Sequence, residues 1–151
     1  MRFANKKRRL FGGAPRNQKS KMTAVSRYTR EMTDAYVQAG HWTPKATVDF
    51  WERNAQSRPG EAALAEEQAA YTWGEGARAI EAIAAGLIDA GVPRDGVLLV
   101  QVPNSALAVL FRLACEKAGV LPAFLHIGFR RSAINAVARK VNPVGALVAA
   151  G

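Results

Sequence analysis

VLLVQVPNSALAVLFRLACEKAGVLPAFLHIGF, residues Val97–Phe129, decides the fold. Val97–Val102 is apolar except for Gln101, as a strand covered on both faces requires. Pro103-Asn104 ends that run. From Ser105 to Ala118 the residues Leu107, Leu110, Phe111 and Ala114 recur at helical spacing, which predicts a helix with those side chains inward. Asn104 is its expected N-cap. Ala118-Gly119 breaks the helix, and Val120–His126 reads as a second strand. A strand, a crossover helix and a strand imply parallel pairing and a right-handed connection.

The alternation continues downstream. A helix runs from Arg131 or Ser132 to Val141, stopped by Asn142-Pro143, and Gly145–Ala150 reads as a third strand. Upstream, Val92–Gly96 is a tight loop. Before it, a long helix opens at Gly74, carries the stripe Ile80, Ile83, Ala84, Leu87 and Ile88, and closes at Gly91. Ala62–Ala65 and Ala70–Trp73 flank Glu66-Glu67-Gln68 and predict a β-hairpin with a solvated acidic tip. Thr47–Ser57 is helical, with Val48, Phe50, Trp51 and Ala55 apolar, and Pro59-Gly60 ends it. Ser26–Ala39 is helical up to Gly40. The expected fold class is α/β: parallel-sheet strand–helix crossovers with an N-terminal helical and hairpin lead-in. No internal repeat is visible.

A chain of 151 residues, 49% of them hydrophobic, is long enough to bury a core and is most simply one domain. No run of about 18 uncharged apolar residues exists, so no membrane span is expected. Arg112, Glu116 and Lys117 interrupt the longest candidates. The net charge of +9 is unevenly placed. Residues 1–22 hold Arg2, Lys6, Lys7, Arg8, Arg9, Arg16, Lys19 and Lys21 without one acid, and the rest is nearly neutral. Such a segment buries too little apolar surface to offset its ordering entropy, so a disordered basic leader is expected, followed by one α/β portion over 23–151. The leader is open to several readings: a phosphate-binding tail for nucleic acid or membrane, an organellar transit segment, or sequence upstream of a start at Met22. A secretory signal lacks its apolar core here. The single cysteine, Cys115, falls on the buried helix face; a core thiol in a reducing, cytoplasmic setting fits it.

Several short motifs resemble one family. Tyr36-x-x-x-Gly40-x-Trp42 is similar to a motif of aryl-acid-activating members of the adenylate-forming acyl- and aryl-CoA synthetases and ligases. Asp49-Phe50 through Arg58-Pro59 resembles their opening helix. Ala70-Tyr71-Thr72-Trp73 resembles the strand-to-helix junction L-T-Y-x-E-L. Gly91-Val92-x-x-Asp95-x-Val97 resembles G-V-x-x-G-D-x-V, and Val102-Pro103-Asn104-Ser105 resembles L-P-N-S. Glu116-Lys117-Ala118-Gly119-Val120 with Pro122 is similar to x-K-A-G-A-V-x-x-P. The likeness covers Tyr36–Gly151 in order. Gly76 stands where Leu is usual, Asp95-Gly96 inverts Gly-Asp, and Ala133 replaces a common Glu.

The resemblance implies a two-step reaction. A carboxylate attacks ATP to give an acyl-AMP, and a thiol such as CoA then takes the acyl group. It implies ATP, Mg and CoA for the full-length family, with a carboxylic acid as substrate. Phosphates would be held by a Ser/Thr/Gly-rich loop ending in Pro-Lys, and a mobile lysine would stabilise the transition state. None of these motifs occurs among the 151 residues, nor does G-x-x-x-x-G-K-[ST]. No catalytic, cofactor-binding or metal-ligating residue is therefore expected in this chain. It reads as the N-terminal portion of such a ligase, inactive alone, contributing scaffold and part of an acid-pocket wall alongside the remainder of the enzyme.

Local alternatives are weak. Gly74-Glu75-Gly76 reads as helix-start geometry rather than a phosphate loop. His41 and His126 lack metal spacing. Trp42, Trp51 and Trp73 read as core packing. Two competitors remain: a nucleic-acid or interaction module using the basic tail, and a fragment that does not fold because its sheet is left incomplete.

Overall fold

The computed structural model describes residues 28–67 and 69–149, which fall into two compact units, 28–46 and 47–149. The expected leader lies outside the described residues. Among them, no helix is long and apolar enough to cross a membrane.

The smaller unit contains α1 (Arg30–Gln38), started by Thr29, whose hydroxyl accepts from the Met32 N–H at 3.2 Å. Ser26, where this helix was expected to begin, lies outside the described residues. Tyr28, Tyr36 and Trp42 pack edge to face or tilted, with Trp42 4.8 Å from Tyr28 and 4.9 Å from Tyr36. Trp42 is 39% exposed, so it is a surface aromatic and not the core residue expected.

The larger unit runs α2 (Thr47–Ser57), β1 (Ala62–Glu66), β2 (Ala69–Thr72), α3 (Trp73–Asp89), β3 (Val97–Gln101), α4 (Ala106–Ala118), β4 (Leu121–Phe124), α5 (Arg131–Val141) and β5 (Gly145–Val148). Strands β1 and β2 form the antiparallel hairpin. Thr72 then caps α3: its hydroxyl accepts from the Glu75 N–H, and Glu75 accepts from the Thr72 N–H, a reciprocal capping box. These contacts hold the Glu75 carboxyl below the usual carboxylate range, the Thr72 N–H first and its hydroxyl second.

β3 is the centre of a three-stranded parallel sheet of order β4-β3-β5. Its alternate residues feed two cores. Leu98 and Val100 join Leu87 of α3, Phe111 and Cys115 of α4, Val120 and Leu147 on one face. Leu99 joins Leu125 and Ala138, backed by Ile134, Val137 and Val141 of α5, on the other. Helices thus cover both faces, as the nearly unbroken apolar run of β3 requires.

Several details differ from expectation. Ser105, not Asn104, is the N-cap of α4: its extended backbone presents Oγ to the Ala108 N–H at 3.2 Å. Leu107 is 40% exposed, because the buried residues Ala106, Leu110, Leu113 and Ala114 define a face that excludes it. Ile88, at the far end of its stripe, is 62% exposed. Strand β4 is shorter than Val120–His126, and Trp73 belongs to α3 rather than to the hairpin.

The inverted Asp95-Gly96 pair has a local reason. A Cβ on residue 96 would stand 2.8 Å from the Pro93 carbonyl oxygen, so glycine is needed there. Asp95 takes the left-handed conformation instead, at φ 62°, and its N–H donates to the Gly119 carbonyl at 2.7 Å.

One ammonium braces three helices. Lys117 Nζ of α4 lies 2.6 Å from Glu52 of α2 and 2.5 Å from Glu81 of α3. Its hydrogen bonds to Glu52 and then Glu81 raise its pKa. A raised folded pKa means stability that is fully present below the unfolded lysine value and lost as pH climbs through the folded one. Lys117→Met is expected to cost about 1 kcal/mol near neutral pH, since partly exposed pairs contribute modestly. Its melting temperature should converge with that of the parent as pH rises beyond the ordinary lysine range and through the raised folded value, where the ammonium titrates. A constant gap across that range would show that the lysine acts through its methylenes.

Candidate functional site

A cleft of about 580 Å³ opens beside the carboxyl ends of β3 and β4, where ligands of parallel sheets ordinarily bind. Val102, Pro103 and Asn104 form one wall, Ala108, Val109 and Arg112 of α4 the second, and Phe124 to Ile127 the third. The floor is apolar, with Asn104, Arg112 and His126 as its polar side chains. No carboxylate lines it.

Its walls are held by contacts between distant residues. Gln101, the one polar residue of β3, sends its side-chain N–H group to the carbonyls of His126, Ile127 and Phe129 at 3.1, 3.2 and 3.0 Å. This clasps the loop after β4 to the end of β3. Within that loop the Gly128 N–H donates to His126 Nδ1 at 3.0 Å. In a neutral imidazole this leaves Nε2 as the protonated nitrogen. The start of α4 is set by Ser105 and by Glu66, whose carboxylate accepts from the Ala106 N–H at 3.0 Å. An anion at a helix N-terminus is favoured by the aligned peptide dipoles.

Arg112 Nη1 lies 3.8 Å from Glu116 Oε2, an ion pair too long for a hydrogen bond. Glu116 Oε1 is engaged by the Thr47 N–H at 2.5 Å, at the start of α2. Glu116 Oε2 is buried and has no hydrogen-bond partner among the described residues.

The residues singled out in the sequence fall in different places. His126 reaches the cleft, while His41 belongs to the 28–46 unit. Gly74 and Gly76 are packing glycines: a Cβ on Gly74 would press on Pro59, and one on Gly76 on Trp51 and Leu110. Glu66 is exposed on the hairpin, as expected, and also caps α4. Trp51 and Trp73 pack edge to face at 4.6 Å, with the Trp51 indole N–H donating to the Trp73 carbonyl at 3.1 Å. Burial pushes the Cys115 thiol up to about 12, which leaves it no thiolate near neutral pH. Gln101 and Arg112 were not anticipated as site residues; a lone amide in an apolar strand was the signal for the first.

The donor set does not fit a magnesium-bound triphosphate. Among the described residues no three His, Cys, Asp or Glu side chains gather as a metal site. The cleft offers one cation and no hydroxyl.

Three comparisons with known proteins bear on this architecture. The sequence model described as AMP-binding enzyme matches residues 51–150. Pseudomonine synthase PmsE of Pseudomonas entomophila is 25% identical over 116 residues, covering 77% of this chain and 19% of that protein. A salicylyl-CoA synthase / salicylate adenylyltransferase of a Streptomyces species is 26% identical over 95 residues, covering 63% and 17%. The chain thus spans about a fifth of the length of these relatives. Among solved structures, apo MbtA of Mycobacterium smegmatis superimposes with a TM-score of 0.73 at 24% identity, over 79% of this chain and 23% of that one. At that identity the likeness is one of fold.

Proposed function

This chain belongs to the AMP-binding enzyme family, and on that footing we propose that it is the N-terminal portion of an AMP-forming ligase that activates acyl or aryl carboxylic acids, with CoA or a related thiol as acceptor. Residues 1–22 stand apart as a basic leader to the 23–151 portion. The relative named for salicylate supports an aryl acid. The observation that carries the reading is the pairing of this family's architecture with a site whose donors do not suit a triphosphate. The chain supplies scaffold: a parallel sheet, its covering helices and one wall of a cleft at the strand ends. Phosphate binding and adenylate transfer fall to the remainder of the ligase, so the 151-residue chain alone is inactive.

ATP–pyrophosphate exchange with a panel of carboxylic acids tests this. The purified chain is expected to give no exchange above background. Robust exchange would place the phosphate chemistry within these residues and overturn the reading. The nucleic-acid alternative rests on residues 1–22 alone, outside the described residues.

A further inference from the structure

The turn after β4 and the start of α5 form one exposed stretch, and we propose that it anchors the chain at the surface of a bilayer rich in anionic lipid. Ile127 and Phe129 enter the interface, Arg130 and Arg131 meet the headgroups, and Arg139 and Lys140 extend the basic surface along α5.

Residues 126–132 are exposed without interruption. Ile127 is 61% exposed and Phe129 41%, two large apolar side chains on one turn. Ile127 also borders the cleft, but Phe129 and the basic residues lie outside its lining. The backbone of the turn suits an apolar medium. The carbonyls of His126, Ile127 and Phe129 all accept from Gln101. The Gly128 N–H donates to His126 Nδ1 and the Phe129 N–H to the His126 carbonyl. An ordinary exposed turn leaves such groups to water, whereas groups already paired lose little when lipid displaces water.

The charge around the turn is of one sign. From residue 120 to 151 the sequence holds Arg130, Arg131, Arg139 and Lys140 and no acidic residue. All four basic residues are exposed, and none forms an ion pair among the described residues. Two of them stand where a helix favours acids. Arg130 is the N-cap of α5 without a side-chain bond, Arg131 follows, and the first turn has no acid. Ala133 holds the third helical position, where a glutamate would complete a capping box. Helix chemistry does not account for the two arginines; an external anionic surface beside an apolar turn does.

A nucleic-acid backbone would draw the arginines but gain nothing from a turn prepared for lipid, and the experiment separates the two. The full chain is sedimented with vesicles of phosphatidylcholine alone and of equal parts phosphatidylcholine and phosphatidylserine. Binding is expected to the anionic vesicles and not to the neutral ones. The pair Arg130→Gln, Arg131→Gln should weaken it about 25-fold, from about five-fold for each charge removed. The pair Ile127→Ser, Phe129→Ser should weaken it about ten-fold through lost apolar burial. Residues 1–22 are intact in every variant, so attraction through the basic leader alone would leave both pairs at the parent affinity. Hydrogen–deuterium exchange of the unaltered chain needs no variant to fold, and anionic vesicles should protect residues 126–133. Equal binding to the two kinds of vesicle, no binding to either, affinity that survives loss of Ile127 and Phe129, or no protection at 126–133 would each overturn the assignment.

Discussion

Gly76→Leu is expected to lower the unfolding free energy by about 3 kcal/mol, the upper part of the range for forcing bulk into a packed core. Residue 76 sits in the first turn of α3, where a Cβ alone would overlap the Trp51 ring and stand 3.2 Å from Leu110 Cδ2. The Trp51 ring cannot easily yield. It is 7% exposed, its indole N–H is held by the Trp73 carbonyl, and its edge packs on the Trp73 ring. Trp51 therefore fills space that a leucine side chain would take. That exchange makes the prediction specific: Trp51→Ala should be costly alone, yet the double variant Trp51→Ala, Gly76→Leu should recover about 2 kcal/mol relative to the sum of the singles. Urea unfolding followed by circular dichroism measures all four corners. Additive effects, or a Gly76→Leu chain as stable as the parent, would refute the close packing.

Phe111→Ala is expected to cost about 3–5 kcal/mol, the usual loss for deleting a buried aromatic ring. Phe111 is 1% exposed and touches the cluster of Leu87, Val100, Cys115 and Leu147, which joins α3 and α4 to the sheet. The ring cannot be replaced by collapse, because β3 beneath it is also packed from the other side by Leu99, Leu125 and Ala138. Such a loss is a large share of the roughly 5–15 kcal/mol that stabilises a typical domain. Leu107→Ala, on the same helix, should cost less than about 1 kcal/mol, since that side chain is 40% exposed. Chemical denaturation of the two variants side by side is the check. Similar losses would mean that the face assigned to α4 is wrong.

The backbone plan was largely legible in the sequence because its punctuation is local. Pro59-Gly60 and Asn142-Pro143 stop α2 and α5 where expected, and the apolar run of β3 announced a strand covered on both faces. What local pattern could not convey was contact across distance. Glu66 and Ala106 lie 40 residues apart, Thr47 and Glu116 69. Gln101 meets carbonyls 25 to 28 residues on. Periodicity marks an apolar stripe without saying where the neighbouring elements stop, which is why Leu107 and Ile88 belong to the stripes yet lie exposed. The cleft was invisible for the same reason: Asn104, Arg112 and His126 converge only once β3, β4 and α4 are assembled.

The two long-range carboxylates have a consequence for how this chain could be divided. Glu66, on the hairpin, helps to begin α4; Glu116, on α4, helps to begin α2. The hairpin and α4 thus each carry part of the starting mark of another segment, and the dependence passes from hairpin to α4 to α2. A cut or a transplant that respects every loop would still separate a helix from the group that starts it. The natural unit of exchange, in engineering or in gene rearrangement, is therefore the whole stretch from α2 through α4, and no single helix or hairpin within it is a self-sufficient module.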